Sequence, residues 1–210
     1  NTMIYTKKDI EHLDRISRLK IINAVTGIKP ANLIGSISDT KISNLAIFSS
    51  VVHLGSNPAL LGFISRPQTL EVGHTLRNIQ ENGSYTINHI HPSFVKNAHY
   101  TSAKFSQEES EFEHCGLTQE YHKDILAPFV KQSTFKMGMQ FIETLEIKHN
   151  GTVMVIGEIQ KLIINDSAMV DDDIDLQASN SIGISGLNSY YALKKIAQFP
   201  YARIEELPKF

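Results

Sequence analysis

Behind Thr6 and Asp9, spaced as a helix N-terminal cap, the apolar residues Ile10, Leu13, Ile16, Leu19 and Ile22 recur mostly three apart. This spacing predicts an amphipathic helix over about residues 6–26, ending near Gly27 and Pro30. The texture then changes to short β-prone runs at 32–37, 44–53, 59–65 and 84–91, separated by Gly, Pro, Asn and Asp. Between the third and fourth runs, Thr75 stands as a cap residue before a helical stretch that stops at Gly83. Residues 94–105 and 107–114 carry helical spacing and read as a helical insertion over a sheet. The β texture returns at 135–148 and 153–165, joined by Asn150 and Gly151, a strong short-range hairpin signal. An acidic loop at 171–175, a segment at 187–197 and a tail with Pro200 and Pro208 complete the chain. The sum is one β-rich domain over residues 1–210, decorated with helices and most simply a closed antiparallel barrel, with residues 166–210 as a C-terminal segment.

Composition narrows the partners. The 210 residues are 41% hydrophobic, enough for a substantial core, and the 20 Lys+Arg against 22 Asp+Glu leave no basic excess for nucleic acid. No apolar stretch approaches the roughly 18 residues of a membrane span. The single cysteine, Cys115, gives neither a disulfide within the chain nor a zinc cluster, so the expected compartment is reducing, by default the cytoplasm. Small-molecule partners are favoured.

Most catalytic signatures are missing: there is no G-x-G-x-x-G after a strand, no phosphate-loop motif, no H-E-x-x-H and no C-x-x-C. His89 and His91 would share one face of a strand, the beginning of some metal sites, but without a third ligand they read as polar residues of a strand end, and no metal is expected. The acidic loop 171–175 lacks the Gly and Glu of a calcium loop. Glu108, Glu109, Glu111 and Glu113 read as the exposed face and N-terminal charge of a helix. One region stands out. A strand carrying small hydroxyl residues, then Arg66, then a helix start at Thr75 are parts that bind a phosphate; the same residues also read as a surface charge and a simple cap.

The order of these pieces resembles the flavin reductase-like family, the FMN-binding split β-barrel proteins. N-x-A-x-x-S is present as Asn44, Ala46 and Ser49, followed by Asn57-Pro58 and Arg66-Pro67. T-x-x-N-I is Thr75, Asn78 and Ile79; G-x-[YF]-x-x-N is Gly83, Tyr85 and Asn88; E-F-x-x-x-G-L-T starts at Glu111; and Gly157 and Glu158 stand in the late strand. The resemblance covers about residues 20–195 and implies a mainly β fold, an antiparallel split barrel of Greek-key type with peripheral helices. It further implies Asn44, Ile47, Phe48, Ser49 and Ser50 as ring and ribityl contacts. Arg66, His74 and Thr75 would hold the phosphate, with Ser36 on the preceding strand beside them. The family's C-terminal R-x-G-G-x-x-Y is represented by Ile184 through Tyr190 without its Arg, which leaves Tyr190 as the candidate there. The implied function is hydride transfer from NADH or NADPH to flavin in a homodimer, with the chemistry borne by the cofactor and no catalytic side chain. The alternatives are an FMN electron carrier that does not use a nicotinamide, or a flavin-free barrel acting as a binding module.

Overall fold

The computed structural model describes residues 1–68 and 73–210. Helices α1 (Lys7–His12) and α2 (Arg15–Ala24) precede strands β1 (Lys29–Pro30), β2 (Asn32–Ile37), β3 (Ser43–Phe48), β4 (Val52–Ser56) and β5 (Ala59–Ser65). Helix α3 (His74–Asn82) runs into β6 (Ser84–His89). An insertion follows with α4 (Val95–Tyr100), α5 (Glu111–His114) and the small strands β7 (Gln119–Glu120) and β8 (Phe129–Val130). The long pair β9 (Phe135–Ile147) and β10 (Thr152–Ile164) comes next, then β11 (Met169–Val170), β12 (Asp173–Ile174), β13 (Ile182–Ser185) and β14 (Ser189–Ala192).

The main sheet has seven strands in the order β3-β2-β6-β9-β10-β5-β4, with every neighbour antiparallel. Its two edges, β3 and β4, are consecutive in the chain and joined only by residues 49–51. A link that short spans little more than about 10 Å, so the sheet must curl until its edges lie close, and the expected antiparallel split barrel results. β1, β13 and β14 form a separate three-stranded sheet.

Alternation along the strands divides the apolar residues into two clusters. The barrel interior holds Ile34, Phe63, Tyr85, Ile87, Met139 and Val155, with Leu76 and Ile79 of α3 packed into the same cluster. On the opposite face, Leu33 and Leu45 pack with Phe94, Ala98 and Phe112 of the insertion and with Ile182 and Ile184 of β13. The insertion and the C-terminal hairpin therefore cover the outer face of β2 and β3.

Several sequence expectations shift by a physical cause. The N-terminal helix is two helices, because the Asp14 carboxylate caps a fresh start by accepting from the amides of Ile16 and Ser17, each at 3.0 Å. Neither helix buries a residue. The run 44–53 breaks over residues 49–51, where the Ser50 hydroxyl accepts from the Ile64 amide at 2.9 Å and donates to the Ile64 carbonyl at 3.3 Å. α3 starts one residue before Thr75 and ends at Gly83, whose φ of +73° is the left-handed cap that glycine adopts without strain. In the insertion the helical runs shrink to six and four residues, as Thr101 and Ser102 turn their hydroxyls back onto the carbonyls of Ala98 and His99. The acidic loop is the exposed tip between β11 and β12, with Asp171 and Asp172 at positive φ. Among the described residues no helix is long and apolar enough to cross a membrane.

Candidate functional site

The edge strand β3 carries the predicted ligand-binding motif, and its first half is buried while Ala46–Phe48 is half-buried. Asn44 is the centre of a buried polar network. Its Oδ1 accepts from Thr75 Oγ1 at 3.0 Å and from Ser36 Oγ at 3.4 Å; its Nδ2 donates to Glu111 Oε1 at 2.9 Å. Asn78 Nδ2 donates to Ser36 Oγ at 3.0 Å, and the second Glu111 oxygen accepts from the Leu45 amide at 2.9 Å. Ser43 and Ser110 join their hydroxyls at 2.6 Å beside it.

The network corrects two expectations. Thr75 is not the helix cap: Gly73 is, and the hydroxyl of Thr75 donates to Asn44. Glu111 is not on an exposed helix face; it is 5% exposed, because Phe112 beside it is drawn into the outer cluster. Burial pushes its carboxyl pKa up, against the opposing effect of the Leu45 amide.

The ring candidates separate as well. Ile47 packs on the outer cluster and Phe48 on the inner one, as consecutive strand residues must, so a flat ring lying on β3 meets only one of these side chains. Phe48 stacks edge-on against Phe63 with centroids 4.9 Å apart. Ser49 is half-buried at the start of the link, and the Ser50 hydroxyl is held by Ile64. β3 lies at a sheet edge, where one row of backbone groups has no ladder partner.

At the other end of the candidate site, Arg66 is exposed directly after β5. Gln68 ties this loop to α3: its Nε2 donates to Ser65 Oγ at 3.1 Å, and its Oε1 accepts from the amide of the N-cap residue Gly73. The remainder of the predicted Arg loop, residues 69–72, lies outside the described residues. A cavity of about 330 Å³ opens where α3, the β2–β3 turn and the insertion meet, with Asn44, His74, Arg77, Asn78 and Glu109 in its wall. His74 thus sits beside Asn44, whereas Arg66 does not line this cavity.

Tyr190 lies apart from β3's inner face. Its hydroxyl is 2.8 Å from His99 Nδ1, the two rings meet edge-on at 5.7 Å, and burial pushes the phenol pKa up. Tyr190 packs, like Ile47, on the outer cluster. Sequence reasoning left Asn78, Glu111 and His99 out of the site; the first two stood inside quoted motifs, and their place could have been found by asking which motif residues satisfy one another. Nothing in the spacing pointed to His99.

Two buried polar atoms have no protein partner among the described residues, Asn32 Oδ1 and Tyr85 Oη. Asn32 lies in register between Phe48 of β3 and His89 of β6, at the end of the barrel nearest the 49–51 link. Among the described residues no group of His, Cys, Asp and Glu is arranged to hold a metal ion. His89 stacks on Phe135 at 3.9 Å and lies 2.7 Å from Ser181 Oγ through Nδ1. His91 donates from Nδ1 to the Asn180 carbonyl at 2.9 Å and accepts from the Thr134 amide at Nε2 at 3.0 Å.

Comparison with known proteins places this geometry. Residues 28–175 match the family profile described as flavin reductase like domain. A crystal structure assigned as a flavin reductase with a split barrel domain, from Shewanella frigidimarina, is 46% identical with a TM-score of 0.91, over 96% of this chain and 100% of that one. Nitrilotriacetate monooxygenase component B from Bacillus cereus shares the fold at 19% identity and a TM-score of 0.83, over 95% of this chain and 100% of its own. Flavoredoxin of Desulfovibrio vulgaris does so at 21% and 0.72, over 84% and 92%.

Proposed function

Because the chain belongs to the flavin reductase like family, we propose that it is an FMN-binding oxidoreductase taking hydride from NADH or NADPH, with the flavin along β3 and its phosphate between Arg66 and the start of α3. The observation that carries this is the Gln68 clamp, which brings a guanidinium-bearing loop and a nine-residue helix N-terminus to one place. Guanidinium and helix dipole together favour a dianion, and the backbone amides of the first turn supply further donors beside His74 and Thr75. Along β3 the edge groups beyond Leu45, whose amide is held by Glu111, offer backbone hydrogen bonds to a heteroaromatic ring, with Phe48 on the inner side and Asn32 Oδ1 as a buried acceptor close by. The flavin supplies the hydride chemistry when bound, so the chain needs only to bind, orient and shield it.

The proposal includes pairing with a second copy. Ile16, Leu19 and Ile22 along α2, and Ile196, Phe199, Tyr201 and Ile204 in the tail, are large apolar side chains left exposed, a pattern that supports a protein interface. The buried, unpaired Cys115 supports a reducing compartment, the cytoplasm.

The test is the visible spectrum of the purified protein titrated with FMN, then anaerobic addition of NADH and NADPH. Flavin bands that bleach with a nicotinamide are expected; bands that persist would turn the assignment into an electron carrier, and a protein that binds no flavin would overturn it. Arg66→Ala is expected to weaken FMN binding about tenfold with the fold intact, and unchanged affinity would remove the phosphate site.

A further inference from the structure

We infer that Glu111 is the positioning residue of the site, an acceptor-only latch by which the insertion fixes the orientation of Asn44 and, through it, ties β3 to α3; its consequence for flavin rests on the function proposed above. A buried carboxylate normally pairs with Lys or Arg, but among the described residues Glu111 makes no ion pair. It receives two N–H donors, the Leu45 amide and Asn44 Nδ2. Both Glu111 oxygens accept N–H donors, which turns the amide nitrogen of Asn44 toward the carboxyl group and the amide oxygen toward α3. That oxygen then draws the Thr75 proton, and β3 and the first turn of α3 are joined by a chain of hydrogen bonds with one direction. Glu111 sits on α5 of the insertion, 67 residues from Asn44, so the same contact seats the insertion on the edge strand.

The direction of the chain makes a charge swap diagnostic. In Glu111→Gln the new amide nitrogen confronts Asn44 Nδ2, donor against donor. In Asn44→Asp two carboxylates confront each other. In the double variant the introduced amide oxygen accepts from Leu45 and its nitrogen donates to one oxygen of the carboxylate introduced on β3. The other oxygen of that carboxylate accepts from Thr75, so every hydrogen bond returns with the charge moved from one side chain to the other.

The experiment is this double-mutant cycle, read by FMN affinity, by the absorption band shape of bound FMN, and by hydrogen exchange of the Leu45 amide in the flavin-free protein. Each single variant is expected to weaken FMN binding about tenfold or more, broaden the bound spectrum toward that of free FMN and speed Leu45 exchange; the double variant is expected to return all three near the wild-type values. Rescue would also separate positioning from direct ligation, since a flavin held by the Asn44 amide itself would not tolerate Asp. Singles indistinguishable from wild type, or a double no better than the worse single, would overturn the latch. If wild type binds no FMN, the function above fails, while the exchange arm still decides the latch. If the singles do not fold, a folded double supports it and an unfolded double overturns it.

Discussion

The barrel and the two ends of the chain use the same kinds of side chain to opposite effect. Inside the barrel Phe63, Tyr85, Ile79 and Met139 are at most 1% exposed, whereas Ile196, Phe199 and Ile204 of the tail are at least 84% exposed. Hydrophobicity alone therefore does not say where a residue goes. The strands alternate and so present one face to a common interior, while the N-terminal helices are at most half-buried and the tail is exposed. The first region fixes the fold; the second is where the proposed pairing would bury apolar surface.

The sharpest way to break the barrel half of this contrast is to damage the interior. Phe63→Ala is expected to cost about 3–5 kcal/mol, measured as a drop in urea midpoint, because Phe63 joins the edge-on ring contacts from Phe48 to Tyr85. Gly157→Ala is expected to cost about 1–3 kcal/mol by overpacking, since an added Cβ would run into the ring and hydroxyl of the buried Tyr85.

Acid has a smaller effect than Phe63→Ala. Burial, and secondarily the charge of His91, lowers the His89 pKa to about 4, and burial lowers that of His91 as well. The unfolded chain binds these protons near the ordinary value of about 6.5, so the stabilising contribution is complete above that pH and is lost as pH falls from there toward about 4. The expected loss is about 3 kcal/mol, seen as a urea midpoint that falls across this window; His89→Phe, which retains a ring to lie against Phe135, should flatten the slope. An equally steep slope in that variant would remove His89 as the cause.

The smallest change in stability is expected at the chain ends. Leu19→Glu should alter the unfolding free energy of the single chain by no more than about 0.5 kcal/mol, yet convert a pair of chains into single ones in sedimentation. A variant that stays paired would show that α2 is not the interface.

Much of the barrel was legible in the sequence. The runs at 32–37 and 59–65 are strands over those same residues, and the long hairpin is placed within one residue at each end. Alternation and turn chemistry decide such elements locally. The break at Asp14 was also locally encoded but hidden under a continuous apolar spacing. What the sequence withheld depends on contacts between distant segments. The β13–β14 hairpin is a strand pair because β1 and the outer cluster receive it. Glu111 looked like one of four surface acids until Phe112 was seen to bury it. In the candidate site the motif residues were legible as a set, but the hydrogen bonds that join Ser36, Asn44, Thr75, Asn78 and Glu111 to one another were not, because they connect segments far apart in the chain.

The insertion leaves and rejoins the barrel at one point. His89 at the end of β6 lies flat on Phe135 at the start of β9, and Asn88 is paired with Lys136 directly below. Residues 90–134 are thus an excursion whose two ends meet at this stack, where Ser133 also bonds to the carbonyls of His89 and Phe135. Loop-closure entropy grows only logarithmically with length, so with its ends fixed at this neck the excursion costs little to close, and what seats it on the strands is its own contacts: Thr86 with Pro128, Asn88 with Val130 and Glu111 with Leu45. The neck settles where the cap begins and ends; its buried face, with Phe94, Ala98 and Phe112 on Leu33 and Leu45, settles how it lies over the edge strand.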